Sequence, residues 1–124
     1  MTILYIDDDQ EDAEIFCDAV KVVNASVSCR TIFESKKVLE EITLSCPDYI
    51  FLDFRMPIMD GIDVLKQIKG HRCFEKTKVI MYSTYMREKD IEECRSLGVC
   101  DCWTKNAEFD LLCKDLRKLF EKHS

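Results

Sequence analysis

Five short apolar runs alternate along this chain with five stretches whose apolar residues recur at helical spacing, and that alternation leaves few folds open. Thr2 to Ile6 is the first run. Glu11 to Val23 follows, with Ile15, Phe16, Ala19, Val20, Val22 and Val23 at helical intervals. Ser26 to Thr31 alternates polar and apolar residues, the pattern of a half-exposed edge strand, and Glu34 to Leu44 sets Val38, Leu39 and Ile42 on one helical face. Asp48 to Asp53 contains Tyr49-Ile50-Phe51-Leu52, apolar on both faces, and Gly61 to Lys69 offers Ile62, Leu65 and Ile68. Lys78 to Ser83 is a further apolar run, and Arg87 to Leu97 a weaker helix that Gly98 stops. Val99 to Trp103 reads as the last strand. Phe109, Leu112, Cys113, Leu116, Leu119 and Phe120 mark an amphipathic terminal helix.

Strands that alternate with helices imply an α/β fold with a parallel sheet covered on both sides. The first, third and fourth strands are solidly apolar and suit central positions, whereas the second suits an edge. Right-handed crossovers then predict a doubly wound, flavodoxin-like sheet of five strands in the order 2-1-3-4-5, with five helices. The 124 residues suit one domain, 1–124. Ligands of such sheets bind beyond the carboxyl ends of the strands, so the chemistry is expected there.

Charge narrows the function classes. The formal net charge is −6, and Asp7, Asp8, Asp9, Glu11, Asp12 and Glu14 crowd one short stretch. That patch repels a phosphate backbone, which argues against nucleic acid as a partner, and it attracts a divalent cation. No apolar run approaches the roughly 20 residues of a membrane-spanning helix, and no basic or apolar leader precedes the first strand. A cytoplasmic location with no membrane association is the resulting expectation. The eight cysteines (17, 29, 46, 73, 94, 100, 102 and 113) contain no C-x-x-C pair. In such a setting they are expected to be free thiols acting as small apolar residues. A zinc site from Cys94, Cys100, Cys102 and His71 is conceivable, but has no recognised ligand spacing.

Four strand ends carry polar groups: Asp7-Asp8-Asp9 after the first strand, Asp53 after the third, Ser83 after the fourth, and Lys105 after the fifth. In a parallel sheet these ends share one rim. Three carboxylates brought close repel one another, each pair by about 4 kcal/mol at an effective dielectric of about 20. A hard dication relieves that repulsion, and Mg²⁺ takes one or two carboxylates while leaving positions for phosphate oxygens. Lys105 adds a positive charge, the Ser83 hydroxyl can donate to a phosphoryl oxygen, and Asp53 is placed as a nucleophile. Each piece alone has a plainer reading: Asp9 to Asp12 complements the dipole of the first helix, and an Asp at a strand end often caps the next helix.

Together these residues resemble the receiver domain of bacterial two-component response regulators. The likeness rests on Ile3-Leu4-Tyr5-Ile6-Asp7-Asp8-Asp9, on Leu52-Asp53-Phe54-Arg55-Met56-Pro57-Ile58-Met59-Asp60-Gly61, and on Ser83 and Lys105, and it covers essentially the whole chain. The resemblance implies a phosphoacceptor at Asp53 and Mg²⁺ held by Asp8, Asp53 and the backbone carbonyl of Arg55, with Asp7 acting mostly through water. It implies a sensor histidine kinase or phosphotransfer protein as donor. It also implies a downstream protein bound through the fourth helix, fifth strand and fifth helix, and a separate one is expected, with no output domain anticipated on this chain. The chain would then be a signalling component rather than an enzyme, catalysing only its own phosphorylation and dephosphorylation. Three positions depart from the family pattern. Asn106 stands where proline usually follows the lysine, so a trans Lys105–Asn106 bond is expected. Cys102 replaces an aromatic residue, with Trp103 expected on the opposite face. Thr84 adds bulk where small residues are common.

Other readings compete. A haloacid-dehalogenase-like Mg²⁺ phosphatase would use the D-x-D formally present in Asp7-Asp8-Asp9, but Gln10-Glu11-Asp12 lacks the Thr or Val that should follow. FMN binding would need a Ser/Thr/Gly-rich loop where the acids stand. A pseudo-receiver that binds partners without phosphorylation conflicts with an intact Asp8, Asp53, Ser83 and Lys105 set.

Overall fold

The computed structural model describes residues 1–105 and 108–123. Its strands are β1 (Thr2–Ile6), β2 (Ser28–Ile32), β3 (Tyr49–Leu52), β4 (Lys78–Ser83) and β5 (Asp101–Thr104). All pair in parallel, in the order β2-β1-β3-β4-β5. The helices are α1 (Gln10–Val23), α2 (Val38–Leu44), α3 (Gly61–Lys69), α4 (Glu88–Ser96) and α5 (Phe109–His123). The predicted fold class and strand order both hold. None of the helices is long and apolar enough to cross a membrane, among the described residues.

Strand parity sorts the core into two halves. Ile3, Tyr5, Tyr49, Phe51, Ile80 and Tyr82 face α1 and α5, joined there by Phe16, Ala19, Val20, Leu112 and Leu116. Leu4, Ile6, Ile50, Leu52, Val79 and Met81 face the other way, onto Val38, Ile42, Val64, Leu65, Ile68 and Cys94. Because successive side chains of a strand point to opposite faces, every one of these central strands must be apolar throughout. Trp103 packs with the first set and Cys102 with the second, the opposed facing expected of them.

Several boundaries differ from the sequence reading, each for a local reason. Asn24 accepts hydrogen bonds from the Ser26 N–H and hydroxyl and its carbonyl accepts from Val27, so a turn occupies this stretch and β2 starts at Ser28. The second helix opens with a 3₁₀ turn at Ser35–Lys37 before becoming α-helical. Val99 donates to the Cys94 carbonyl at the end of α4, which keeps it out of the last strand. Gly98 makes that C-terminal turn with φ +98°, and a Cβ there would also lie 2.9 Å from the Phe74 ring.

One expectation is overturned. Cys46 and Cys73 form a disulfide, so the cysteines are not all free thiols. Cys46 lies in the loop after α2 and Cys73 in a 3₁₀ turn (Arg72–Glu75) after α3, 27 positions further along the chain. Folding sets their Cα atoms 5.4 Å apart, a bridging distance that linear spacing could not disclose. The zinc alternative does not assemble: Cys94 is buried, Cys100 is exposed, and His71 accepts from the Cys73 N–H.

Candidate functional site

The cleft is built by extending the sheet one residue past each strand. Asp7 donates its backbone N–H to the Ile32 carbonyl at 3.1 Å, Asp53 to Ile6 at 2.9 Å, and Lys105 to Ser83 at 2.8 Å. Register pairs Tyr5 with Phe51 and Ile6 with Leu52, so Asp7 and Asp53 emerge side by side with the parity of the aromatic face. A slip of one residue would turn both carboxylates to the opposite side of the sheet.

Carboxylate oxygens of Asp7, Asp8 and Asp53 lie within 4.8 Å of one another, the one such acid, His or Cys cluster among the described residues. Asp9 does something else: it caps α1, accepting from the Asp12 N–H at 3.2 Å, so its plainer reading is the right one. Asp7 is 1% exposed and well supplied with donors. It accepts from the Lys105 ammonium at 2.6 Å, the Tyr5 hydroxyl at 2.7 Å and the Asp9 N–H at 3.0 Å. Burial opposes its ionisation, but the Lys105 hydrogen bond and the other donors prevail and hold its carboxyl below the usual range. Asp53 is also buried, and Lys105 stands farther off, at 3.8 Å. Burial first, and then the Asp7 charge, push the Asp53 carboxyl up to about 7, against the pull of Lys105 and the Arg55 backbone N–H. Burial disfavours the charge on Lys105, yet its acidic partners raise its pKa well above the ordinary lysine value.

These groups line a cavity of about 330 Å³ with Asp9, Asp12, Arg55, Ser83, Thr84 and Tyr85. Ser83 is buried, its hydroxyl donating weakly to the Tyr85 carbonyl at 3.4 Å, so it has little holding it from another acceptor. Thr84 is exposed at the cavity wall. Asn106 lies outside the described residues, and with it the expectation of a trans Lys105–Asn106 bond. After β3 the chain must turn tightly into α3. Gly61 donates to the Phe54 carbonyl, and a Cβ on it would meet the Asp53 carbonyl oxygen at 2.5 Å. Only glycine allows the helix start this close to Asp53. Asp60 caps the helix through the Asp63 N–H.

Three contributors were not among the sequence candidates. Asp12, in the first turn of α1, accepts from Lys105 at 2.9 Å. Tyr5 carries its hydroxyl to Asp7, and the Lys105 ammonium lies 5.9 Å from the centre of the Tyr82 ring. Tyr5 could have been found from strand parity, standing two residues before Asp7 on the same face. Asp12 could not, because nothing local links it to a lysine 93 residues away.

The donor set fits a hard dication: three carboxylates converge, no thiol or imidazole joins them, and one carboxyl is driven toward protonation by burial and then by its neighbour's charge. Residues 3–117 match the family model of the response regulator receiver domain. Stress response regulator protein 1 of Clavispora lusitaniae is 28% identical over 109 residues, 87% of this chain and 57% of that protein. Sporulation initiation phosphotransferase F of Bacillus subtilis is 32% identical over 74 residues, 60% of this chain and 58% of that one. The chain thus spans less than two thirds of the length of these relatives. In structure it resembles the signal receiver domain of a DNA-binding response regulator from Colwellia psychrerythraea, with TM-score 0.85, 24% identity, and 98% of each chain covered.

Proposed function

The chain belongs to the response regulator receiver domain family, and on that premise we propose that it takes a phosphoryl group onto Asp53 and thereby switches its binding to another protein. The observation that carries this is the meeting of Asp7, Asp8 and Asp53 within 4.8 Å beside Lys105. Asp8, Asp53 and the Arg55 carbonyl would hold Mg²⁺, with Asp7 acting through water because its own oxygens already accept three protein donors. When bound, Mg²⁺ keeps Asp53 ionised and neutralises charge on the phosphoryl oxygens.

In the transfer, an Asp53 carboxylate oxygen attacks phosphorus in line with the bond to the donor imidazole. That P–N bond breaks as the P–O bond forms, and the imidazole leaves with its electron pair. Lys105 swings from Asp7 and Asp12 toward the new phosphoryl oxygens, and the Ser83 hydroxyl donates to one of them. Hydrolysis follows the same line, with water as the attacking group. Asp7 is a poor nucleophile candidate here, being buried and saturated with donors, which disfavours the phosphatase reading. The donor would be a phosphohistidine on a sensor kinase or phosphotransfer protein, and the readout surface α4, β5 and α5. Incubation with acetyl phosphate and Mg²⁺ tests the reading by intact mass. Wild type should gain one phosphoryl group, while Asp53→Asn, or wild type in EDTA, should gain none; uptake by Asp53→Asn would overturn it.

A further inference from the structure

Cys17 on α1 and Cys29 on β2 place their sulfurs 2.7 Å apart, within about 0.7 Å of a disulfide bond length of ~2.05 Å. Neither lines the acidic cleft nor belongs to the Cys46–Cys73 bridge, and both are half-buried rather than sealed in the core. They are 12 positions apart in the chain, so their approach is a product of α1 packing beside the edge strand. We propose that Cys17 and Cys29 are a reversible thiol–disulfide modification site that exchanges with small-molecule disulfides such as oxidised glutathione.

The two thiols are not equivalent. Either sulfur can donate to the other across this contact; the contact with Cys29, and then Lys21 one turn further along α1, lower the Cys17 pKa against burial, whereas the contact with Cys17 and burial raise that of Cys29. Cys17 is therefore the attacking thiol and Cys29 the resolving one. The Cys17 thiolate attacks one sulfur of the small disulfide, whose S–S bond breaks and whose other half leaves as a thiolate that takes up a proton. Cys29 then loses its proton and attacks the Cys17 sulfur, expelling the second thiolate, which is protonated in turn. Two protein thiols are oxidised and one disulfide is reduced to two thiols. The bond ties α1 to the sheet edge, and α1 is the helix whose first turn brings Asp12 to Lys105.

The test uses the full chain, reduced, freed of reductant, equilibrated in a glutathione buffer, acid-quenched, alkylated and mapped by peptide mass. Most molecules should carry a Cys17–Cys29 linkage that dithiothreitol reopens. Cys29→Ser should instead retain glutathione on Cys17, and Cys17→Ser should leave Cys29 alkylated and free of glutathione. Recovery of Cys17 and Cys29 as free thiols under conditions that close Cys46–Cys73 would overturn the proposal, as would linkage of either to another cysteine. Should a serine variant fail to fold, the wild-type peptide map decides alone.

Discussion

The two faces of the one sheet are built from different materials. Toward α1 and α5 the core is aromatic: Tyr5 stacks on Phe16 with centroids 4.5 Å apart, Phe16 lies 4.6 Å from Phe51, and Phe51 meets Trp103 at 5.1 Å. Toward α2, α3 and α4 it is almost wholly aliphatic, and the helices there are shorter, with a 3₁₀ turn leading into α2 and another following α3. The aromatic face also leads into the candidate cleft, since its strand parity ends in Asp7, Asp53 and Lys105, and two of its rings reach the cleft as Tyr5 and Tyr82. Large rings give a rigid floor with polar tips, and small branched side chains give a filling without them. The difference teaches that one half of the core holds the charges in place while the other half supports the loops around them.

Phe16→Ala strikes the centre of the aromatic floor and should destabilise the protein by about 4 kcal/mol, read from urea unfolding. The pH dependence comes next in size. In Mg²⁺-free buffer Asp53 binds a proton more tightly folded than unfolded, since its native pKa is about 7 against 3.8. Its contribution to stability is present at low pH and lost as the pH rises through about 7. The thermal midpoint should therefore fall between about pH 5.5 and 8, and Asp53→Asn should flatten that slope. Asp7, held below the usual range, stays charged across this window and adds no slope of its own.

Tyr5→Phe keeps the ring but removes a donor from a buried carboxylate. It should cost about 2 kcal/mol and weaken Mg²⁺-dependent phosphoryl uptake, whereas a purely packing role for the ring predicts no change in either. On the aliphatic face, Ile50→Val should cost only about 1 kcal/mol and leave uptake untouched. Smallest of all is Ile58→Gly in the loop after β3. Ile58 is fully exposed with φ 69°, held in a tight turn by the Met59 N–H on the Pro57 carbonyl. A β-branched residue is strained there, so glycine should be neutral or stabilising by up to about 1 kcal/mol in the same unfolding assay.

The same two faces explain how far the sequence could be read. Periodicity announces which stretches are buried, so the five strands, the five helices and the strand order followed from runs such as Tyr49-Ile50-Phe51-Leu52. The meeting of Asp7, Asp8 and Asp53 followed from topology alone, because parallel strands share a carboxyl end. What stayed hidden depends on side-chain reach and on contacts between distant segments. Lys105 gripping Asp12, the Cys46–Cys73 bridge, and the turn that delays β2 until Ser28 leave no periodic trace.

The central claim is that the crowded acids make Asp53, and no other carboxylate, the phosphoryl acceptor. Borohydride reduction after exposure to acetyl phosphate and Mg²⁺ converts an acyl phosphate to homoserine, which peptide mass spectrometry locates by residue. Homoserine at position 53, absent when Mg²⁺ is withheld, is the predicted result. Homoserine at position 7 or 8, or an equal yield without the metal, would contradict it.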